Sequence, residues 1–193
     1  MLFWIAAYTT LQTFFSQAMP TVMKKKWPLS SYIVSLIHQT CILPYLYVHG
    51  HTQECFVSSI GYFLSDAIAN YPYFDTWLLL HHAVSIALLI NGLYFLPPPT
   101  LALAATWLLS MEIGSAALNL TDMTNQFYTF RIVVYGLTRA VVIWQMVFVL
   151  LYDERESKLV CLISFPLVAH NVRVFTKMYH SYQRTTKQTS FSL

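Results

Sequence analysis

Residues 73–96 read YFDTWLLLHHAVSIALLINGLYFL. The stretch holds no lysine or arginine, and Asp75 near its start is its one acidic residue. It exceeds the ~20 residues that a helix needs to cross the hydrocarbon of a bilayer. It therefore reads as a membrane helix. Its anomaly is His81-His82, two ionisable side chains set well inside an apolar run. An apolar span with a polar pair inside it sets the reading of everything around it.

Six further apolar segments flank it, at residues 2–22, 28–48, 55–71, 100–120, 131–152 and 159–179. Breakers and charges punctuate them: the lysines 24–26, His49-Gly50-His51, Pro72, Pro97-Pro98-Pro99, residues 121–125, and the charged run 153–158. The expected fold is all-α: a polytopic membrane helix bundle with about seven transmembrane helices, or six if the first segment lies in the interface. That first segment has no basic leader and is long enough to span, so it reads as a retained helix rather than a cleaved signal. No repeat or composition shift divides the chain, so residues 1–193 form a single membrane domain.

Composition agrees. Of 193 residues, 56% are hydrophobic and 10% are charged, with a mean hydropathy of +0.52. A soluble domain carries about a quarter charged residues, and this chain cannot build such a polar shell. That excludes a disordered chain, a nucleic-acid binder and an ordinary soluble enzyme. The formal charge of +3 gathers in two places, Lys24-Lys25-Lys26 and Arg173, Lys177, Arg184 and Lys187. Six spans separate the two clusters, so both fall on one side, and the positive-inside rule makes that side cytosolic. The C-terminus is then cytosolic and the N-terminus outside. Cys41, Cys55 and Cys161 match no metal spacing and read as small buried hydrophobes.

An ionisable group at the centre of a membrane helix costs about 2.5–3.5 kcal/mol on insertion scales. This chain keeps His38, Asp66, His81, His82, Glu112, Arg139 and His170 in its apolar segments. At 1.5 Å per residue, all lie about 8–15 Å from the proposed cytosolic helix ends. Spacings of three and four add Ser31 and Ser35 to the His38 face, Tyr62 and Asn70 to the Asp66 face, Ser85 to the His81 face, and Ser115 and Asn119 to the Glu112 face. Polar groups at one level on several helices imply a shared cavity. Within it Arg139 reads as a counter-ion for Asp66 or Glu112, His170 as a packing histidine, and Asp75 as a helix cap. No helix carries a ligand pair at i, i+3 or i, i+4, so no metal is expected.

These residues carry a family resemblance. Gly61-Tyr62-Phe63-Leu64-Ser65-Asp66, then His81-His82, then Met111-Glu112 with Leu118-Asn119, resemble a TLC domain. His38, within Ser35-Leu36-Ile37-His38, matches that family's earlier membrane histidine. The TLC-like region covers residues 25–180 and is most similar to the small stand-alone TLC domain-containing proteins; residues 181–193 are a cytosolic tail. The resemblance implies an integral protein of the endoplasmic reticulum, another endomembrane or the plasma membrane, concerned with lipids. Ceramide synthases of this family move an acyl chain from acyl-CoA to a sphingoid amine. Their double histidine matches His81-His82, and the threonine after it stands as Ser85. Their next-helix His-Asp pair stands as Met111-Glu112, the second Asp as Ser115, and the closing Leu-Glu as Leu118-Asn119.

Three functions fit. The first is binding or regulating a membrane lipid through a polar cavity formed by His38, Asp66, Ser85, Ser115, Asn119, Arg139 and His170, in the service of lipid homeostasis. The second is acyl transfer of the ceramide synthase type, with His81, His82 and Glu112 catalytic and acyl-CoA as co-substrate; no bound cofactor is expected. The third is a cargo receptor or lipid carrier. Membrane lipid is the expected partner in the first two.

Overall fold

The punctuation becomes helix ends. The computed structural model describes residues 1–19, 22–24, 27–152 and 165–190. Its helices are α1 (Leu2–Ala18), α2 (Leu29–Ile37), α3 (Leu43–Val48), α4 (Thr52–Asn70), α5 (Thr76–Phe95), α6 (Pro98–Thr124), α7 (Tyr128–Tyr152) and α8 (Phe165–Ser190). A π-helical segment, His38–Ile42, joins α2 to α3 in one rod. Among the described residues these make seven rods, each overlapping one apolar segment. Two short strands, Met23–Lys24 and Trp27–Pro28, pair antiparallel between α1 and α2. Lys25, Lys26, the charged run 153–158, Cys161 and the start of the seventh segment lie outside the described residues.

Local chemistry sets several of these ends. Asp75 caps α5, its Oδ1 accepting from Leu78 N–H at 2.9 Å, as expected of an N-cap carboxylate. Asn125 closes α6 with φ 57°, the left-handed turn that ends many helices. The π segment follows from Pro44, which has no N–H to give to the Thr40 carbonyl. The backbone admits one extra residue there, and Leu43 N–H reaches the His38 carbonyl five positions back.

Two expected breaks are present but narrower than the punctuation that marks them. Of the three prolines 97–99, only Pro97 stays outside the helix; Pro98 and Pro99 occupy the first turn of α6, where a missing N–H costs nothing. Residues 121–124 continue the same helix. Cys41 is exposed and only Cys55 is buried, so the reading of both as buried hydrophobes holds for one of them.

The rods close into a ring in the order α1, α4, α5, α8, α7, α6, α2 and back to α1. The consecutive helices α5 and α6 scarcely touch each other. An apolar core of Tyr8, Leu43, Phe56, Ile60, Phe63 and Leu89 fills one side of the ring. The burial pattern is inverted from that of a soluble protein. Ser30, Ser31, Ser35, Ser58, Ser59 and Ser65 are buried, while Leu79, Tyr94, Leu137 and Trp144 face outward. Three helices are long and apolar enough to cross a membrane, Thr76–Phe95, Pro98–Thr124 and Tyr128–Val147. Together these make the chain a membrane protein.

α1 belongs to the ring. Tyr8 is fully buried, and Gly61 of α4 lets the two backbones approach. A Cβ at position 61 would meet Trp4 Cβ at 2.7 Å and Trp4 backbone at 3.0 Å. Gly61→Ala should gain up to ~1 kcal/mol of helix propensity but lose about 1–3 kcal/mol to overpacking. Gly61→Leu should separate α1 altogether. Thermal unfolding in detergent micelles checks this: both variants should melt below the wild type, the leucine variant lower. A melting point raised by leucine would show that α1 does not pack here.

Candidate functional site

Three hydrogen-bonded clusters and a separate histidine network hold most of the polar residues singled out in the sequence. The first ties α1, α2, α4 and α5. Gln12 Nε2 donates to Ser30 and Ser31 at 3.2 and 3.3 Å. Ser31 Oγ donates to Asn70 Oδ1 at 2.7 Å, and Asn70 Nδ2 to Asp66 Oδ1 at 2.8 Å. Asp66 Oδ2 then meets His82 Nε2 at 2.9 Å. His82 Nδ1 lies 3.0 Å from the Leu78 carbonyl, which can only accept, so Nδ1 carries a hydrogen. Both nitrogens of His82 are thus engaged, whichever of Asp66 and His82 holds the proton between them.

His38 stands beside this chain and is fully buried. Its Nδ1 is 2.6 Å from Tyr8 Oη and its Nε2 is 3.3 Å from Ser59 Oγ. Its ring stacks on Tyr62 at 4.4 Å, and Tyr62 pairs with Ser35 at 2.6 Å. Every polar atom of this histidine is answered between α1, α2 and α4.

The second cluster crosses from the π segment to α6. Gln39 Nε2 donates to Glu112 Oε2 at 2.8 Å, and Gln39 Oε1 accepts from Asn119 Nδ2 at 3.0 Å. The neighbours His38 and Gln39 thus serve different clusters.

The third cluster joins α6, α7 and α8 around Arg139, which is 7% exposed. Its Nε donates to Asn171 Oδ1 at 2.9 Å, one terminal nitrogen to the Met111 carbonyl at 2.6 Å, and the other to Ser115 Oγ at 2.9 Å. Its guanidinium lies 4.2 Å from the Tyr135 ring centroid. Gly114 makes the approach feasible, since a Cβ there would overlap Thr138 and Arg139. The expected ion pair of Arg139 with Asp66 or Glu112 does not form among the described residues. Neutral acceptors on α6 and α8 are nearer and take three of its nitrogens.

Between α5 and α6, walled by α4, α7 and α8, lies a cavity of about 330 Å³. On α5 its lining runs from His81 through Ser85, Leu89 and Gly92 to Leu96, and on α6 from Ser115 through Glu112, Leu108 and Ala104 to Thr100. That is roughly 22 Å along each helix at 1.5 Å per residue. One end is polar, with His81, Ser85, Glu112, Ser115, Arg139 and Asn171; the other is mainly aliphatic and aromatic, with Asn91 and Thr100 its polar residues. His81 stacks on His170 at 4.8 Å. The Nδ1 atoms of both are buried without a hydrogen-bond partner among the described residues.

Of the residues singled out in the sequence, His81, Ser85, Glu112, Ser115 and Arg139 line this cavity. Asp66, His82, His38 and Asn119 do not; they serve the clusters that hold the helices. His170 reaches it only through His81. The sequence reading of one shared chamber is therefore replaced by one chamber and adjoining clamps. Gln12, Gln39, Tyr135 and Asn171 were missed, and their signal was a neutral amide or phenol inside an apolar helix. Among the described residues no three His, Cys, Asp or Glu side chains converge as a metal site. Comparison with known protein families, curated proteins and solved structures finds no match to this chain.

If Asp66 and His82 form a clamp, Asp66→Ala and His82→Ala should each lower stability. The double variant should cost less than the sum, by a coupling of about 1–3 kcal/mol. A double-mutant cycle on thermal or denaturant unfolding in micelles measures it. Strict additivity would remove the clamp.

Proposed function

We propose that the chain is a TLC-type membrane protein of lipid homeostasis that crosses the bilayer seven times and binds a membrane lipid in the cavity between α5 and α6. The observation that carries this reading is the shape and lining of that cavity. It is one elongated slot whose titratable and charged groups all lie at one end, which suits an amphiphile with one head and one buried chain. Leu89, Leu96, Ala104 and Leu108 offer the chain an apolar wall. Glu112, Ser85 and Ser115 offer the head acceptors and donors, with the Arg139 cation behind them. The seven rods of the described residues support seven spans, and Lys24 and Arg173, one from each basic cluster, lie at one end of the bundle. The N-terminus then sits outside and the C-terminus in the cytosol. The endoplasmic reticulum or another endomembrane suits a protein acting on lipid composition.

Acyl transfer is the second reading, and His81 is the feature that favours it. Its ring lines the cavity and no hydrogen bond engages it among the described residues. In such a reaction a His81 nitrogen attacks the thioester of an acyl-CoA, the C–S bond breaks, and CoA leaves as the thiol. An amine or hydroxyl of a lipid then takes the acyl group from the imidazole. His82, bonded at both nitrogens, holds the backbone and orients its neighbour rather than attacking.

Lipid extracted from the purified protein tests the first reading. Wild type should carry single-chain lipid in near-stoichiometric amount by mass spectrometry. Ala104→Trp, which fills the slot, should retain about tenfold less, while Ala87→Trp, on the outward face of α5, should retain the wild-type amount. Equal retention in both variants would contradict lipid binding in this cavity. Incubation with labelled acyl-CoA separates the second reading: a covalent adduct lost in His81→Ala but kept in His82→Gln supports it, and no adduct removes it.

A further inference from the structure

One end of the ring collects cations and aromatic rings. The short strands between α1 and α2 bring Lys24 and Trp27 there. Trp27 packs on Phe74 at 5.5 Å and on Tyr73 at 6.0 Å, in the link between α4 and α5. Three residues on, Trp77 opens α5, and the Arg173 guanidinium lies 4.9 Å from its ring centroid. That contact brings α8 down to the same end. α8 is 26 residues long, about 39 Å at 1.5 Å per residue, and its C-terminal turns continue past Arg173.

The charge pattern of α8 is ordered. At about 100° per residue, Arg173 and Lys177 fall about 40° apart on one face, and Arg184 and Lys187 follow in the sequence. The opposite face carries Asn171 and Met178, both buried against the bundle. Arg173 and Lys177 are exposed. No acidic residue follows Glu156 in the chain, so nothing on this helix neutralises the stripe. Lys25 and Lys26 extend the neighbouring cluster in sequence.

A cationic stripe on an amphipathic helix next to a membrane span attracts the phosphates of anionic lipids, at about 1 kcal/mol per basic residue near the surface. The aromatic rings fix the source of those phosphates. Trp27, Tyr73 and Trp77 are partly or largely exposed beside the cations, and such rings favour the headgroup level of a bilayer. A free phosphate in solution gains nothing from them. We infer that the basic face of α8, with Lys24 and this aromatic rim, is a binding surface for the phosphorylated headgroups of anionic lipids in the adjoining leaflet. It is distinct from the cavity between α5 and α6 and does not depend on what that cavity holds. Its occupant anchors α8, and α8 carries Asn171, the residue that holds Arg139 at the cavity head.

The test uses the full chain in nanodiscs of phosphatidylcholine containing a minor fraction of a phosphoinositide. Native mass spectrometry should find the phosphoinositide retained several-fold above its share of the bilayer, and retention should fall as salt rises. Arg173→Gln/Lys177→Gln/Arg184→Gln/Lys187→Gln should bring retention down to that bilayer share, and Lys177→Gln alone should lower it part-way. Tm recorded for each variant separates loss of binding from loss of fold; Lys177→Gln, a single exposed change, should leave Tm unchanged. Retention equal to phosphatidylcholine, or undiminished in the quadruple variant, would overturn the proposal. So would displacement of the lipid by its soluble headgroup at equal concentration.

Discussion

A buried group that can hydrogen-bond, and has no water beside it, must be answered by another side chain. In this ring the contact of Asp66 with His82 is the point on which the rest depends. Asp66 is held in turn by Asn70, Asn70 by Ser31, and Ser31 by Gln12, so one chain of hydrogen bonds spans four helices. Apolar packing alone gives little direction inside a membrane, where lipid tails compete on equal terms for every leucine. Directional bonds set the rotation of each helix instead. With α5 rotated so that His82 faces Asp66, the adjacent His81 is turned about 100° away, and that turn takes it to the cavity wall.

The same logic explains why the cavity persists. α5 is fixed on one side to α4 and on the other to α8, through His81 on His170 and Trp77 under Arg173. α6 is fixed to α2 by Gln39 and to α7 and α8 by Arg139 and Asn171. Each helix is satisfied elsewhere, so the two sequential neighbours need not close on each other. Gly92 keeps the slot wall thin on one side, with the Phe56 ring in the place of its missing side chain. The result is a slot with a hydrogen-bonding head and an apolar length.

Much of this was legible in the sequence. Charges and prolines mark the seven rods because they cannot continue an apolar span. The spacing of Tyr62, Asp66 and Asn70, and of Ser31, Ser35 and His38, correctly placed those groups on inward faces. What spacing cannot give is the partner. Asp66 and Glu112 are both carboxylates inside apolar helices, yet one answers a histidine and the other an amide. His38 and its neighbour Gln39 likewise answer different groups, a tyrosine and a serine for one and a carboxylate and an amide for the other. Gln12 is an isolated amide in an apolar segment by sequence, and only the fold brings Ser30 and Ser31 opposite it. The three prolines do mark a break, but Pro98 and Pro99 belong to the helix that follows it, because a proline signals equally a helix end and a helix start.

The central claim is that α5 and α6 stand apart around a single lipid whose polar end meets His81, Glu112 and Arg139. A density map of the full chain in lipid nanodiscs, with a rigid fiducial fused to α8, tests it most directly. The account predicts one tube of density along the slot, its broad end against His81 and Arg139 and its narrow end near Leu96 and Thr100. A map in which α5 and α6 pack side by side along their length, with no volume between Leu89 and Leu108, would contradict it.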